Sequence, residues 1–280
     1  MMKIGAIIQA RSTSTRLPGK VLKYLPFDGG VTVLGQVIRR CKQSELLNTV
    51  IVATTVDSVD DSIVDIAVGE NVNWFRGSRD NVLERYYQAA EEYDLDVIVR
   101  VTSDCPCIDP GILDEVISNH LMVEADYTSN SLIRSFPHGL DVEVFNFNSL
   151  EKTHHNASLD FEKEHVTPFI YKSKPEYFKL NIFQAIEEFK APDIRITLDT
   201  VEDYALLCTV FDYLYPVNNF FNVLDIITLF KQKPWLKLIN GNIMQKRFDM
   251  TVEEEIQLAM EFCELQELNL VSKYLDSLLK

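Results

Sequence analysis

The sequence predicts an α/β fold, a mainly parallel sheet covered by helices, with a mixed edge and a helical C-terminal tail. Three observations point there. Short apolar runs of strand length alternate with helical runs of roughly 10–15 residues up to residue 125. A loop carrying three cations follows the first run directly, where open α/β sheets present their ligands. Beyond residue 125 the alternation becomes irregular, and residues 251–280 carry apolar side chains at helical spacing.

Taken in order, residues 3–9 form an apolar run (Ile4, Ala6, Ile7, Ile8) short enough for a buried strand. Residues 33–42 set Val33, Val37 and Ile38 on one side of a helix, and 49–54 (TVIVAT) form the next strand. Residues 60–70 read as a helix with Ile63, Ile66 and Ala67 inward. A short strand at 73–75, a helix at 81–93 and a strand at 96–102 follow. Asp109-Pro110 is a cap and first-turn pair, opening a helix over 109–123. Such alternation builds βαβ units and a sheet with both faces covered. Residues 126–129 and 140–146 then read as strands, the second with Leu140, Val142 and Val144 on one face and Asp141 and Glu143 on the other. A helix over 160–173, a strand over 178–183 and a helix over 203–215 come next. Val252, Ile256, Ala259, Cys263, Leu268 and Tyr274 make 251–280 a long amphipathic helix or a helical pair. No internal repeat or low-complexity tract interrupts the chain.

The 280 residues hold 42 acidic against 27 basic side chains, a formal net charge of −15, with 46% hydrophobic residues and ten each of glycine and proline. This composition is globular and long enough for a sizeable core. An acid excess of this size argues against a non-specific nucleic-acid binder, which needs a cationic face to displace counterions. An anionic ligand would need a local cluster of Arg, Lys or metal. The apolar run of the opening MMKIGAIIQARS meets Arg11 at once, so it does not read as a signal peptide. No stretch approaches the roughly 20 apolar residues of a membrane helix. The five cysteines (Cys41, Cys105, Cys107, Cys208, Cys263) are scattered and odd in number, so reduced thiols in a cytoplasm are expected. His154 and His155 would diverge on a helix and read as surface rather than as a metal site.

The loop over residues 9–20 packs Arg11, Arg16 and Lys20, four hydroxyl residues from Ser12 to Thr15, and Gly19 into twelve positions. Two arginine forks, a lysine point charge and successive backbone N–H groups suit phosphate oxygens. A P-loop is excluded, because Ser14 stands where its first glycine belongs and Val21 where its Ser or Thr belongs. A solvated basic turn is the plain alternative.

The string IIQARSTSTRLPGKVL over residues 7–22 resembles the N-terminal signature of the cytidylyltransferases that activate acidic sugars, the CMP-Kdo and CMP-N-acylneuraminate synthetases. It is particularly similar to their relatives called spore coat polysaccharide biosynthesis protein F. The resemblance implies a Rossmann-like sheet of the nucleotide-diphospho-sugar transferase type. It also implies that Arg11, Ser14, Arg16 and Lys20 receive the triphosphate of CTP, with Gln9, Ala10, Ser12 and Ser103 beside it. Gln9 departs from the family, which usually has proline there.

Two acids stand out as metal ligands. Asp104 follows the strand over 96–102 and precedes Pro106, a position that suits Mg2+ held by carboxylates and phosphate oxygens or, equally, a turn cap. The resemblance assigns Asp104 to magnesium. Asp199, in the stretch Asp199-Thr200-Val201-Glu202-Asp203, matches the family's other magnesium ligand, although Asp199 or Thr200 also fits a helix N-cap, with Asp203 favouring the helix dipole.

Residues 76–81 form a Gly turn before a helix, in which Ser78 or Asp80 fits the N-cap. The resemblance makes Arg76, Gly77, Ser78, Asp80 and Asn81 the base and ribose candidates. It makes His138, Asp141, Glu143 and His165 the acceptor-binding candidates, in strings matching the family's H-G-x-D-x-E and E-H-V-T-P. A structural histidine is the alternative for His138 and His165. The resulting expectation is a magnesium-dependent transferase over residues 1–215 that acts on CTP and a small-molecule acceptor, with Arg11, Arg16, Lys20 and Asp104 catalytic. Residues 216–280 would pack on this domain or form a homodimer contact. A glycosyltransferase using a nucleotide sugar, or a nucleotide-binding module without turnover, would share the sheet.

Overall fold

The computed structural model describes residues 2–243 and 251–279. It begins with strand β1 (Ile4–Gln9), the two-residue strands β2 (Tyr24–Leu25) and β3 (Val31–Thr32), and helix α1 (Val33–Cys41). There follow β4 (Thr49–Thr55), α2 (Asp61–Gly69), β5 (Asn73–Gly77), α3 (Val82–Glu92), β6 (Val97–Thr102) and α4 (Pro110–Met122). β5, β4, β1 and β6 lie side by side and parallel, while β2 and β3 form a separate hairpin. The register sets Gln9 level with Ala53 and Thr102, so β1 and β6 end together while β4 runs two residues further, to Thr55.

Alternation along β1 explains the two layers. Ile4, Ala6 and Ile8 point into a core shared with α1 and α4, through Val37, Ile38, Leu113 and Val116. Ile7 points the other way, into a core with Ile51, Ile98 and the α3 residues Tyr86, Ala89 and Ala90. Thr32 and Asp109 cap α1 and α4 by accepting backbone N–H groups.

The mixed edge consists of β7 (Tyr127–Ser129), β8 (Glu143–Asn146) and β9 (Leu180–Ile182). β8 is antiparallel to both β6 and β7, and β9 is parallel to β7. Strand β8 is shorter than the expected run over 140–146, because the Asn130 side chain takes the Leu140 carbonyl and the Val142 N–H, both at 2.8 Å, in place of a strand partner. The helix expected over 160–173 is divided into α6 (Asp160–His165) and a π-helical turn over Phe169–Ser173. Between them Val166 takes φ 72° and Pro168 supplies no N–H, so a continuous helix is ruled out. Helices α5 (Phe147–Asn156), α7 (Val201–Leu214) and α8 (Val223–Gln232) complete this part of the chain. The tail is a helical pair, α9 (Val252–Leu265) and α10 (Asn269–Leu278), with Glu267 at φ 57° between them.

The chain forms two compact units, Met1–Asn242 and Ile243–Lys280. A division after residue 215 therefore falls inside the first unit. Phe221, Val223, Ile226, Phe230 and Leu236 belong to its core. The Val223 N–H donates to Asp109 Oδ2 at 2.8 Å, and buried Arg40 donates to the Phe221 carbonyl at 2.8 Å. Among the described residues no helix is long and apolar enough to cross a membrane. All five cysteines are free.

Candidate active site

The cation loop leaves the end of β1 and is anchored at Ser12. The Ser12 N–H and hydroxyl both donate to Asp60 Oδ1, at 2.7 and 2.6 Å, and Thr55 Oγ1 donates to Asp60 Oδ2 at 2.5 Å. Burial pushes the Asp60 carboxyl up, but these hydrogen bonds outweigh it and hold the group below its usual range. The Ser12 carbonyl accepts the N–H groups of Ser14 and Gly19, at 3.1 and 2.9 Å, which closes the loop. Gly19 has φ +66°, a left-handed conformation that favours glycine. Ser12 and Ala10 are thus buried parts of the frame, while Arg11 and Arg16 are exposed and Ser14 is half-buried.

Lys20 emerges from this frame into a cluster of acids. Its Nζ lies 2.7 Å from Asp104 Oδ2, 2.9 Å from Asp199 Oδ1 and 2.8 Å from the Leu198 carbonyl. Arg16 meets the same Asp199 oxygen at 3.0 Å, and Arg195 holds Asp199 Oδ2 at 3.0 Å. Arg195 also grips buried Asp203 at 2.9 and 2.8 Å. Thr200 caps α7 with Asp203 as its reciprocal partner, so Asp203 is structural and Asp199 stands just before the cap. The Leu198 N–H donates to the Asp104 carbonyl at 2.8 Å, which brings the two acid-bearing segments together.

Electrostatics follow from this packing. Burial pushes the Asp104 carboxyl up, yet the charge and hydrogen bond of Lys20 bring it down to about 2. Burial pushes the Lys20 ammonium down, and Asp104 and Asp199 outweigh that, leaving it above its ordinary value. A carboxyl lowered in the folded state adds stability above its unfolded pKa and loses it as pH falls through the folded one. The stability gap between wild type and Asp104→Asn is therefore expected to be about 2 kcal/mol near neutrality. It should shrink as pH falls from about 4 to about 2. Chemical denaturation at stepped pH checks this, and a gap that stayed constant would refute the pairing.

The cluster extends toward the mixed edge. Arg195 Nη1 lies 3.1 Å from His138 Nδ1, and the two residues form a parallel bridge of backbone. A guanidinium only donates, so Nδ1 accepts and the neutral ring carries its proton on Nε2, 3.7 Å from Asp141 Oδ2. Burial lowers the His138 pKa against the pull of Asp141. Arg134 forks onto both Asp141 oxygens at 2.7 and 3.1 Å. Gly139, at φ +113°, lets the chain pass the Ile196 backbone, which a Cβ would approach to 2.7 Å. One continuous polar network thus runs from Arg16 through Asp199, Arg195, His138 and Asp141 to Arg134, with Lys20 and Asp104 branching from Asp199.

Three sequence expectations are corrected here. Glu143 was expected to share an acceptor face with Asp141. It is instead buried in an ion pair with Arg100, and its Oε1 accepts from Tyr127 and Thr167 at 2.5 and 2.6 Å. Arg76 was expected at the base, but it donates to the carbonyls of Thr55 and Asp57 at 2.8 Å each and pairs with Asp61 at 2.7 Å. It therefore fastens β5 to the turn after β4. The N-cap of α3 is Asn81, whose Oδ1 accepts the Glu84 N–H at 3.0 Å, rather than Ser78 or Asp80. Ser78 Oγ accepts the Asn81 N–H at 3.1 Å, Gly77 is buried and Asp80 is exposed.

The remaining candidates are placed as follows. Ser103 is buried and its N–H donates to the Gln9 carbonyl at 3.3 Å. The Gln9 amide oxygen accepts from Arg100 Nε at 3.2 Å. His165 is half-buried at the end of α6. Cys105 and Cys107 are buried, and burial pushes the Cys107 thiol up to about 12, so both are packed thiols. His154 lies on α5 with its ring stacked on Tyr87.

Sequence reasoning missed Arg85, Arg100, Arg134 and Arg195. Arg85 is 2% exposed behind the Ser78 turn, donating to the Ser78 carbonyl at 3.2 Å, and its Nε has no partner among the described residues. A charged residue among Val82, Leu83, Tyr86 and Ala89 on the inward stripe of a helix was the available signal for it.

Residues 5–233 match the family described as cytidylyltransferase. The chain belongs to the cytidylyltransferase family. As a member it is a nucleotidyltransferase, and its cation loop and both acids lie within the matched span. This cytidylyltransferase is 37% identical over 203 residues to the spore coat polysaccharide biosynthesis protein SpsF of Bacillus subtilis, covering 71% of this chain and 82% of the relative. It is 36% identical over 117 residues to the 3-deoxy-manno-octulosonate cytidylyltransferase of Geobacter metallireducens, covering 42% of this chain and 44% of that enzyme. The solved structure of a cytidylyltransferase from Leptospira borgpetersenii superposes with a TM-score of 0.79 at 35% identity, over 88% of this chain and all of the other.

Proposed function

We propose that the protein transfers CMP from CTP to an acidic sugar or related small-molecule acceptor and releases pyrophosphate, with Mg2+ as cofactor. One observation carries this reading: Lys20 holds a positive charge between Asp104 and Asp199 beside the exposed arginines of the loop. The two acids are thus arranged around a cation, and the donor set suits Mg2+, which takes one or two carboxylates together with phosphate oxygens and water. Among the described residues no three or more His, Cys, Asp or Glu could hold a metal, so the remaining oxygens would come from the nucleotide. Mg2+ on Asp104 and Asp199 would supply charge neutralisation at the phosphates.

In the reaction an acceptor oxygen forms a bond to the α-phosphorus of CTP, and the bond from that phosphorus to pyrophosphate breaks. Arg11, Ser14, Arg16 and Lys20 receive the triphosphate. Gln9, Ala10, Ser12 and Ser103 form the floor under it. The turn of Gly77, Ser78, Asp80 and Asn81 takes the base and ribose. His138, Asp141 and His165 face the acceptor, and His138 offers its Nε2–H as a donor toward it. Such catalysis is mostly positioning and electrostatics. The name of the Bacillus subtilis relative supports an acceptor destined for a surface polysaccharide. The five unpaired thiols support a reducing compartment, the cytoplasm.

A pyrophosphate-release screen of CTP, UTP, ATP and GTP against acidic acceptors tests the reading. Release from CTP in the presence of Mg2+ is expected, and Arg16→Ala should slow it by at least about tenfold, the effect of about 1.4 kcal/mol. Release of a nucleoside diphosphate would point instead to glycosyl transfer, and wild-type turnover by Arg16→Ala would remove the loop from the mechanism.

A further inference from the structure

We propose that Lys20 closes the divalent-ion seat of the nucleotide-free protein, so that the ion enters only together with the nucleotide. The inference rests on the reading above for the identity of the seat, Asp104 and Asp199. An ammonium group has three protons, and here three oxygens receive them: Asp104 Oδ2, Asp199 Oδ1 and the Leu198 carbonyl. The Lys20 side chain is 12% exposed, and the two acids are 22% and 16% exposed. Arg195 holds Asp199 Oδ2, so Mg2+ on both acids would need Asp199 Oδ1, which Lys20 and Arg16 occupy, at about 2.0–2.1 Å. The ammonium and the metal therefore exclude each other.

The backbone under Lys20 is fixed and its side chain is the movable part. The Gly19 N–H is tied to Ser12, and the Lys23 N–H donates to the Lys20 carbonyl at 3.3 Å. An arriving triphosphate would meet exposed Arg11 and Arg16 first and would offer Lys20 anionic oxygens in exchange for those it leaves. The divalent charge then replaces the ammonium between the two acids, which never face each other without a cation. This makes the metal–nucleotide complex the ligand that opens the site.

The test is a titration of Mn2+ into the nucleotide-free full-length protein, with free Mn2+ followed by electron paramagnetic resonance. Weak binding is expected for wild type, and binding at least about tenfold tighter for Lys20→Met, equivalent to about 1.4 kcal/mol. Lys20→Gln keeps hydrogen-bond donors near the same oxygens and protects the test against misfolding of the first variant; it should change affinity in the same direction. Adding Asp104→Asn to either variant should abolish the gain. Lys190→Met, which removes an exposed charge elsewhere, should give none. Wild-type Mn2+ affinity in both Lys20 variants, or a gain that survives Asp104→Asn, overturns the proposal. The transferase reading would survive that result if wild type still released pyrophosphate from CTP. Tight Mn2+ binding by the Lys20 variants without any such release in wild type would instead overturn the reaction.

Discussion

Asp104→Asn is expected to reduce pyrophosphate release from CTP by about 100-fold or more, the effect of about 2.7 kcal/mol of lost transition-state stabilisation. The substitution keeps the shape of the side chain and leaves the Asp104 carbonyl free to accept from Leu198, as it does now at 2.8 Å. What disappears is a negative charge that holds Lys20 at 2.7 Å. Circular dichroism should show the native secondary structure, and a quenched-flow or coupled assay should show the rate loss. Wild-type turnover by a folded Asp104→Asn protein would mean that the chemistry takes place elsewhere.

Arg100→Met is expected to be the most destabilising single change on the other face of the sheet. Arg100 and Glu143 are paired with side-chain exposures of 14% and 9%. Removing one member of such a pair strands a buried charge, at a cost of about 3–5 kcal/mol. Tyr127 and Thr167 would still donate to Glu143, which places the result toward the lower end. A double substitution of Arg100 and Glu143 to methionine should recover part of the loss, because neither charge is then left alone. Urea unfolding of the three proteins measures both quantities. An Arg100→Met protein as stable as wild type would show that the ion pair contributes nothing.

How much was legible in the sequence depends on how local the signal was. The parallel strands could be read because each is a short apolar run between polar turns, as in β1, β4 and β6. The cation loop was conspicuous because the chain as a whole is so acidic. The helix expected over 160–173 breaks at Val166 and Pro168, because one left-handed residue and one missing N–H interrupt a hydrogen-bond ladder whatever the apolar spacing around them. Helices α5 and α8 were missed, and α8 matters because Phe221 and Val223 carry the core past residue 215. Arg76 and Glu143 sit in family-like strings but are bound up in contacts that only tertiary structure reveals. Arg195 illustrates the reverse: nothing local marks it, yet it joins Asp199, Asp203 and His138.

The pairing of Lys20 with Asp199 joins residues 179 positions apart in the chain. At the far side, the Asn240 side chain donates to the Arg195 carbonyl at 3.1 Å and to Asp203 at 2.8 Å. Anyone trimming this protein to a minimal working fragment therefore has almost no freedom at the front and very little behind. A cut before residue 199 would keep the four parallel strands and still discard an acid of the centre. A cut between 203 and 240 would leave that acid in place but remove a clamp on the arginine that steadies it.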